Sequence, residues 1–219
     1  MVEVITGLRA DQVRANLERV RAEIAQTGRD PDEVEILAAV KYVPADELPT
    51  LAEAGITLVG ENRAQDLEAK ASAHPDRFTW DFVGHLQSRK VRQVLRHVRY
   101  IHSVASDSVL AQLKRHARPE TEVLVEVNIA AEHGKSGIAP TELGAFLARC
   151  PVTAVGLMTM PPRAQTPEES RAHFAALRRL AQEHGLRHLS MGTSQDYIVA
   201  VQEGATIVRL GSTLYGGAS

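Results

Sequence analysis

Lys41 closes the apolar run Val34-Glu35-Ile36-Leu37-Ala38-Ala39-Val40, so its amine falls at the C-terminal end of a predicted strand. Burial penalises a charged amine, lowers its pKa and makes it a nucleophile able to form an imine with an aldehyde. Two further stretches have matching chemistry. Ser190-Met191-Gly192-Thr193-Ser194 and Arg209-Leu210-Gly211-Ser212-Thr213 both continue apolar runs. Small residues let the backbone come close to a ligand, while amides and hydroxyls donate to phosphate oxygens. Ordinary turn and cap residues are the plainer reading of either loop alone. Arg209 interrupts Thr206-Ile207-Val208-Arg209-Leu210, and a guanidinium placed among apolar residues needs a partner.

The elements that must position these residues come from the periodicity. Apolar runs at 34–41, 56–60, 79–84, 99–104, 122–129, 152–158, 187–191 and 205–210 read as strands. An opening helix carries Val13, Leu17, Val20 and Ile24 on one stripe. Further helical patterns lie at about 45–54, 63–73, 88–97, 107–117, 140–149, 167–184 and 195–203. Eight alternating units predict a parallel sheet closed into a (β/α)8 TIM barrel, as one domain over residues 1–219. A doubly wound open sheet is the competitor. In a barrel the site lies at the C-terminal strand ends, and phosphate sites form from the loops after strands seven and eight. Both small-residue loops occupy those positions.

Closure also places strand eight beside strand one. Alternation puts Leu37, Ala39 and Lys41 on one face of the first strand, and Ile207, Arg209 and Gly211 on one face of the last. A small phosphorylated aldehyde could then bridge the lysine and the phosphate loops, and pyridoxal 5′-phosphate (PLP) fits. Arg209 would face the pyridine nitrogen, disfavour its protonation and weaken the ring as an electron sink. A structural ion pair with a carboxylate on a neighbouring strand is an equal alternative. Asn62, after Val59-Gly60-Glu61, could orient the ring oxygen or the imine, or serve as a helix N-cap.

Composition narrows the classes. A formal net charge of −2 and 44% hydrophobic residues indicate neither disorder nor a polyanion partner. The single cysteine, Cys150, allows no internal disulfide or multi-thiolate metal site. Met1–Gly7 shows no signal peptide and no apolar run reaches membrane-spanning length, so a cytoplasmic protein is expected. The nine histidines lack metal-ligand spacing. Gly134-Lys135-Ser136 lacks the earlier glycine of a P-loop, since Ile129 stands there, and Lys135 reads as a surface ion-pairing residue. Arg89, Lys90, Arg92, Arg96 and Arg99 flank the stripe Val91, Val94, Leu95 and Val98, which predicts a solvated basic face rather than a nucleic-acid site.

Taken in order, Ala39-Val40-Lys41, Gly60-Glu61-Asn62, Phe82-Val83-Gly84-His85-Leu86-Gln87-Ser88, Lys135-Ser136-Gly137, Gly156-Leu157-Met158-Thr159-Met160, Leu189-Ser190-Met191-Gly192 and Val208-Arg209-Leu210-Gly211-Ser212 resemble one family. It is the YggS/PROSC family of pyridoxal phosphate homeostasis proteins, and the resemblance covers nearly the whole chain. It implies an alanine racemase N-terminal-domain-like barrel with PLP as a Schiff base on Lys41. It also implies phosphate contacts from Ser194, Gly211 and Ser212 beside Gly192, with Arg209 near the ring nitrogen. The implied role is to carry and buffer PLP, with PLP-dependent apoenzymes as recipients and no established catalysis. Thr193, Gln195, Asp81 and Arg89 depart from the usual methionine, aspartate, histidine and asparagine.

A PLP-dependent amino-acid racemase is the main rival. Racemisation needs a second proton-transfer group opposite the lysine. Racemases take it from a further domain of a partner subunit, whereas this sequence closes at Tyr215-Gly216-Gly217-Ala218-Ser219. A Schiff-base aldolase would use a lysine too, but would not require two phosphate loops and an inward arginine. A self-contained barrel need not dimerise, so a monomer is expected.

Overall fold

The computed structural model describes residues 4–216; the Met1-Val2-Glu3 start of the leader reading and the closing Gly217–Ser219 lie outside them. Eight parallel strands run in chain order and close β1 onto β8, which excludes the open sheet. They are β1 Glu35–Ala39, β2 Leu58–Glu61, β3 Thr79–Phe82, β4 Tyr100–Val104, β5 Glu122–Glu126, β6 Thr153–Met158, β7 His188–Thr193 and β8 Ile207–Leu210. Around them lie α1 Ala10–Gln26, α2 Leu48–Glu53, α3 Ala64–Ala73, α4 Val91–Val94, α5 Asp107–His116, α6 Leu143–Arg149, α7 Arg171–Glu183, α8 Tyr197–Gln202 and α9 Ser212–Tyr215.

Strand alternation sorts the core into two shells. Ala38, Val59, Phe82, Ile101, Val123, Leu189 and Val208 pack between sheet and helices, whereas Leu37, Tyr100, Leu124, Val155, Met158 and Ile207 fill the barrel. The β1–β8 register pairs Glu35 with Ile207 and Leu37 with Arg209. Arg209 therefore rises from an apolar floor toward the C-terminal mouth.

Several expectations change in detail. The first strand stops at Ala39 rather than Lys41: Val40 N–H still donates to Gly60 O at 3.0 Å, but Val43 N–H then turns back to Val40 O. The seventh strand instead runs on to Thr193. On α1 the buried stripe is Val13, Asn16, Val20 and Ile24, with Leu17 only half-buried. Asn16 Nδ2 donates to Leu214 O (3.0 Å) and Gly216 O (2.9 Å), tying the last turn down. Arg99 departs most. It does not extend the wet basic face; its guanidinium grips Glu35 (2.5 Å) and the buried Asp81 (2.7 Å) and stacks 4.2 Å from the Tyr100 ring centroid. The buried Asp81 and the partly exposed Glu35 at the barrel floor outbid solvent for that charge.

Candidate functional site

Lys41 lies in the turn just past β1, exposed, with Nζ 4.8 Å from the Tyr42 ring centroid. The buried, desolvated amine expected from sequence is therefore not found: the ladder ends before it, and the long side chain lies in solvent over its neighbour's ring. What holds the turn is buried instead. Lys70 of α3 sends Nζ to Val40 O (2.7 Å) and to Glu61 Oε1 (2.5 Å), and Glu61 Oε2 accepts from Asn62 N–H (2.8 Å). The clamp fixes both the carbonyl preceding Lys41 and the backbone of Asn62. Nothing but a lone lysine on a helical pattern signalled Lys70.

Asn62 follows β2 and is not a helix cap, because α3 begins at Ala64 with Arg63 at the N-cap and no side-chain cap bond. Its Oδ1 is buried without a hydrogen-bond partner among the described residues. The loop after β3 presses close behind it: a Cβ on Gly84 would lie 2.1 Å from Asn62 O. A buried, unsatisfied amide oxygen costs free energy, so it suits a ligand hydrogen-bond donor.

The loops after β7 and β8 meet as expected. Gly192 has φ +90°, and a Cβ there would come within 2.6 Å of Ala200 Cβ, so glycine is needed for both torsion and space. Asp196, which the sequence reading overlooked, organises this loop: Oδ1 accepts from Thr193 N–H (2.7 Å) and Oδ2 from Ser170 Oγ (2.9 Å). An Asp ahead of the apolar run 197–201 was the available signal. Ser194 Oγ accepts from the amides of Gly211 and Thr213, each at 3.2 Å. Ser212 is exposed between them. The hydroxyl thus sits against amide donors that an anionic ester could also use. A Cβ on Gly211 would meet only Ala39 O, at 3.9 Å, which leaves room beside the strand that leads to Lys41.

Arg209 is 7% exposed and has no carboxylate within ion-pair distance among the described residues. Its Nη1 donates to Ser190 Oγ (2.6 Å) and Ser190 O (2.7 Å), and Nη2 to Thr159 O (2.9 Å). The structural ion-pair alternative is therefore not realised. Burial pushes its pKa down to about 10, opposed by the more distant Asp196 and Glu126, so the group stays charged near neutrality.

Beneath Arg209 the barrel interior is polar. His102 Nδ1 faces Ser190 Oγ at 2.8 Å, and Nε2 faces Asp81 Oδ2 at 3.1 Å. Complete burial lowers the His102 pKa against the opposing pull of Asp81. Burial also resists ionisation of Asp81, but hydrogen bonds from His102 and Arg99 hold its carboxyl below the ordinary range. His102 is consequently neutral in the fold. A buried neutral histidine binds fewer protons than its unfolded counterpart below the ordinary pKa of 6.5, so stability is full above that value and declines as pH falls beneath it. The half-buried His188 shifts the same way. Urea denaturation from neutral to mildly acidic pH should show this loss, at up to about 1.4 kcal/mol per pH unit per histidine. In His102→Gln the slope should shrink, leaving the His188 share.

The mouth is walled by cavities. One of about 240 Å³ is lined by Val83, His85, Glu126, Lys135, Ser136 and Met158. A neighbouring one of about 570 Å³ takes in Lys135, Met160, Arg163, Thr193 and Gln195. Lys135 is ion-paired with Glu132, as read from sequence. Tyr215 packs against the core, its phenol buried and its pKa raised by burial and by Glu61. Among the described residues no group of histidines, cysteines and carboxylates could hold a metal ion, and no helix is long and apolar enough to cross a membrane.

Comparison with known proteins places this geometry. Residues 8–219 match the family described as alanine racemase, N-terminal domain. The pyridoxal phosphate homeostasis protein of Aquifex aeolicus is 36% identical over 214 residues, covering 91% of this chain and 94% of that protein. The chain belongs to the pyridoxal phosphate homeostasis protein family. Among solved members of similar form, PipY of Synechococcus elongatus with PLP bound superposes with a TM-score of 0.78 at 31% identity, covering 93% of this chain and all of that one. Alanine racemase of Corynebacterium glutamicum shares the fold alone: TM-score 0.75, 16% identity, 98% of this chain but 63% of the racemase. A homeostasis-family barrel is thus the racemase barrel, with the sequence likeness lying toward the homeostasis proteins.

Proposed function

We propose that this chain binds PLP covalently through Lys41 and carries it rather than turning over a substrate. The observation that carries the reading is the convergence at one edge of the mouth: an accessible Lys41, the Ser194–Gly211 amide contact and a charged Arg209 in register with β1. PLP would supply an aldehyde carbon there, and Lys41 would be the residue whose amine bonds it, with loss of one water. Gly192, Ser194, Gly211 and Ser212 would hold its phosphate, and Asn62 would use its unsatisfied oxygen toward a donor on the cofactor or the lysine. Arg209 would face the ring nitrogen and withhold a proton from it, which weakens electron withdrawal and suits storage better than carbanion chemistry. The exposure of Lys41 is compatible with this role, because an amine open to solvent can both capture an aldehyde and release it to an incoming amine. The PLP-bound PipY structure and the names of the relatives support the same reading.

The reading extends to a one-domain monomer of residues 1–219 that acts in the cytoplasm and supplies PLP-dependent apoenzymes. A closed sheet offers no free strand edge for pairing with a second copy. Adding PLP to the full chain should produce an absorption band distinct from that of free PLP, with alanine racemised no faster than by free PLP. Absence of the band would refute binding; turnover well above free PLP would refute the carrier role.

A further inference from the structure

Arg209 holds a full charge in the core while touching only neutral partners, and the proton inventory beneath it explains how. Asp81, His102, Ser190 and Arg209 come from β3, β4, β7 and β8, and each is buried. Asp81 Oδ1 already accepts from Arg99 Nε (3.2 Å) and Tyr100 N–H (3.1 Å), and Oδ2 from Arg99 Nη2 (2.7 Å). An ionised carboxylate only accepts, so His102 must present Nε2–H to it across 3.1 Å. A neutral ring then has a lone pair on Nδ1, and Ser190 must spend its hydroxyl proton there, across 2.8 Å. The remaining lone pairs of Ser190 Oγ are thereby turned to Arg209 Nη1 at 2.6 Å. The opposite tautomer would set a lone pair against the carboxylate and a donor against Oγ. One direction alone satisfies every group.

We propose that Asp81, His102 and Ser190 are positioning residues: a one-way hydrogen-bond relay from the barrel floor that fixes where the Arg209 guanidinium points at the mouth. What Arg209 faces at the mouth rests on the proposed function; the relay itself does not.

The test uses the full chain. With ¹⁵N-labelled histidine, His102, assigned through His102→Gln, should show a protonated Nε2 and a bare Nδ1 in the unmutated protein. Asp81→Asn, whose amide can donate, should switch it to the Nδ1–H form. Ser190→Ala should leave the fold intact, shift the Nη1 proton signals of Arg209, whose bonds to the backbone carbonyls of residues 190 and 159 remain, and weaken PLP retention by about tenfold, the weight of one hydrogen bond to a charged group. A core role without positioning would lower stability yet leave both the signals and the retention unchanged. An Nδ1–H tautomer in the unmutated chain, or guanidinium signals unaltered in Ser190→Ala, would overturn the relay. Should Asp81→Asn not fold, the unmutated chain and Ser190→Ala still decide. Failure of the unmutated chain to take up PLP would sink the proposed function alone, and the NMR results would still judge the relay.

Discussion

Lys41→Ala should abolish covalent PLP loading and leave the fold as stable as before. The side chain is exposed and lies over the Tyr42 ring, so truncation should change stability by no more than about 0.5 kcal/mol. Two other amines near the mouth are engaged: Lys135, which shares a cavity with Thr193 and Gln195 of the β7 loop, pairs with Glu132, and Lys70 is held by Glu61 and Val40 O. Phosphate contacts should leave weak, reversible binding. Absorption spectra after mixing with PLP, paired with thermal unfolding, check both halves. A full band in Lys41→Ala would move the attachment elsewhere.

Lys70→Met has the largest expected effect on stability. It leaves Glu61, whose side chain has no solvent exposure, as a buried carboxylate with only the Asn62 amide for a partner. Breaking one side of a buried pair costs about 3–5 kcal/mol, most of it the unpaired charge. Adding Glu61→Gln to Lys70→Met should return much of that loss, since a neutral amide is cheaper to bury. Urea denaturation of the single and double variants measures both. A loss below about 1 kcal/mol in Lys70→Met would show that the clamp is no more than a surface-grade pair. The clamp also links stability to the site, because its other bond holds the Val40 carbonyl next to Lys41.

The barrel was legible because each strand is a short apolar run, and runs alternating with helical patterns admit few architectures. Closure then followed from the count of units, and with it the neighbourhood of Leu37 and Arg209. The exposure of Lys41 was not legible. Where a strand ends depends on where its partners stop pairing, and the run 34–41 does not show that β1 leaves the ladder after Val40. Arg99 looked like one more charge on a basic segment, since its partners Glu35 and Asp81 are distant in sequence. The polar relay had a local trace, in single polar residues at inward positions of apolar strands. Its connectivity spans the closed barrel, however, and no spacing along the chain encodes it. The small-residue loops were read correctly as meeting, while Asp196 and Asn16, which hold them in place, were passed over as ordinary loop and helix residues.

Reducing the PLP-loaded full chain with borohydride and mapping the labelled peptide tests the central claim most directly. The account predicts a single label, on the peptide containing Lys41. A label on Lys135 or Lys70, or no label at all, would contradict it.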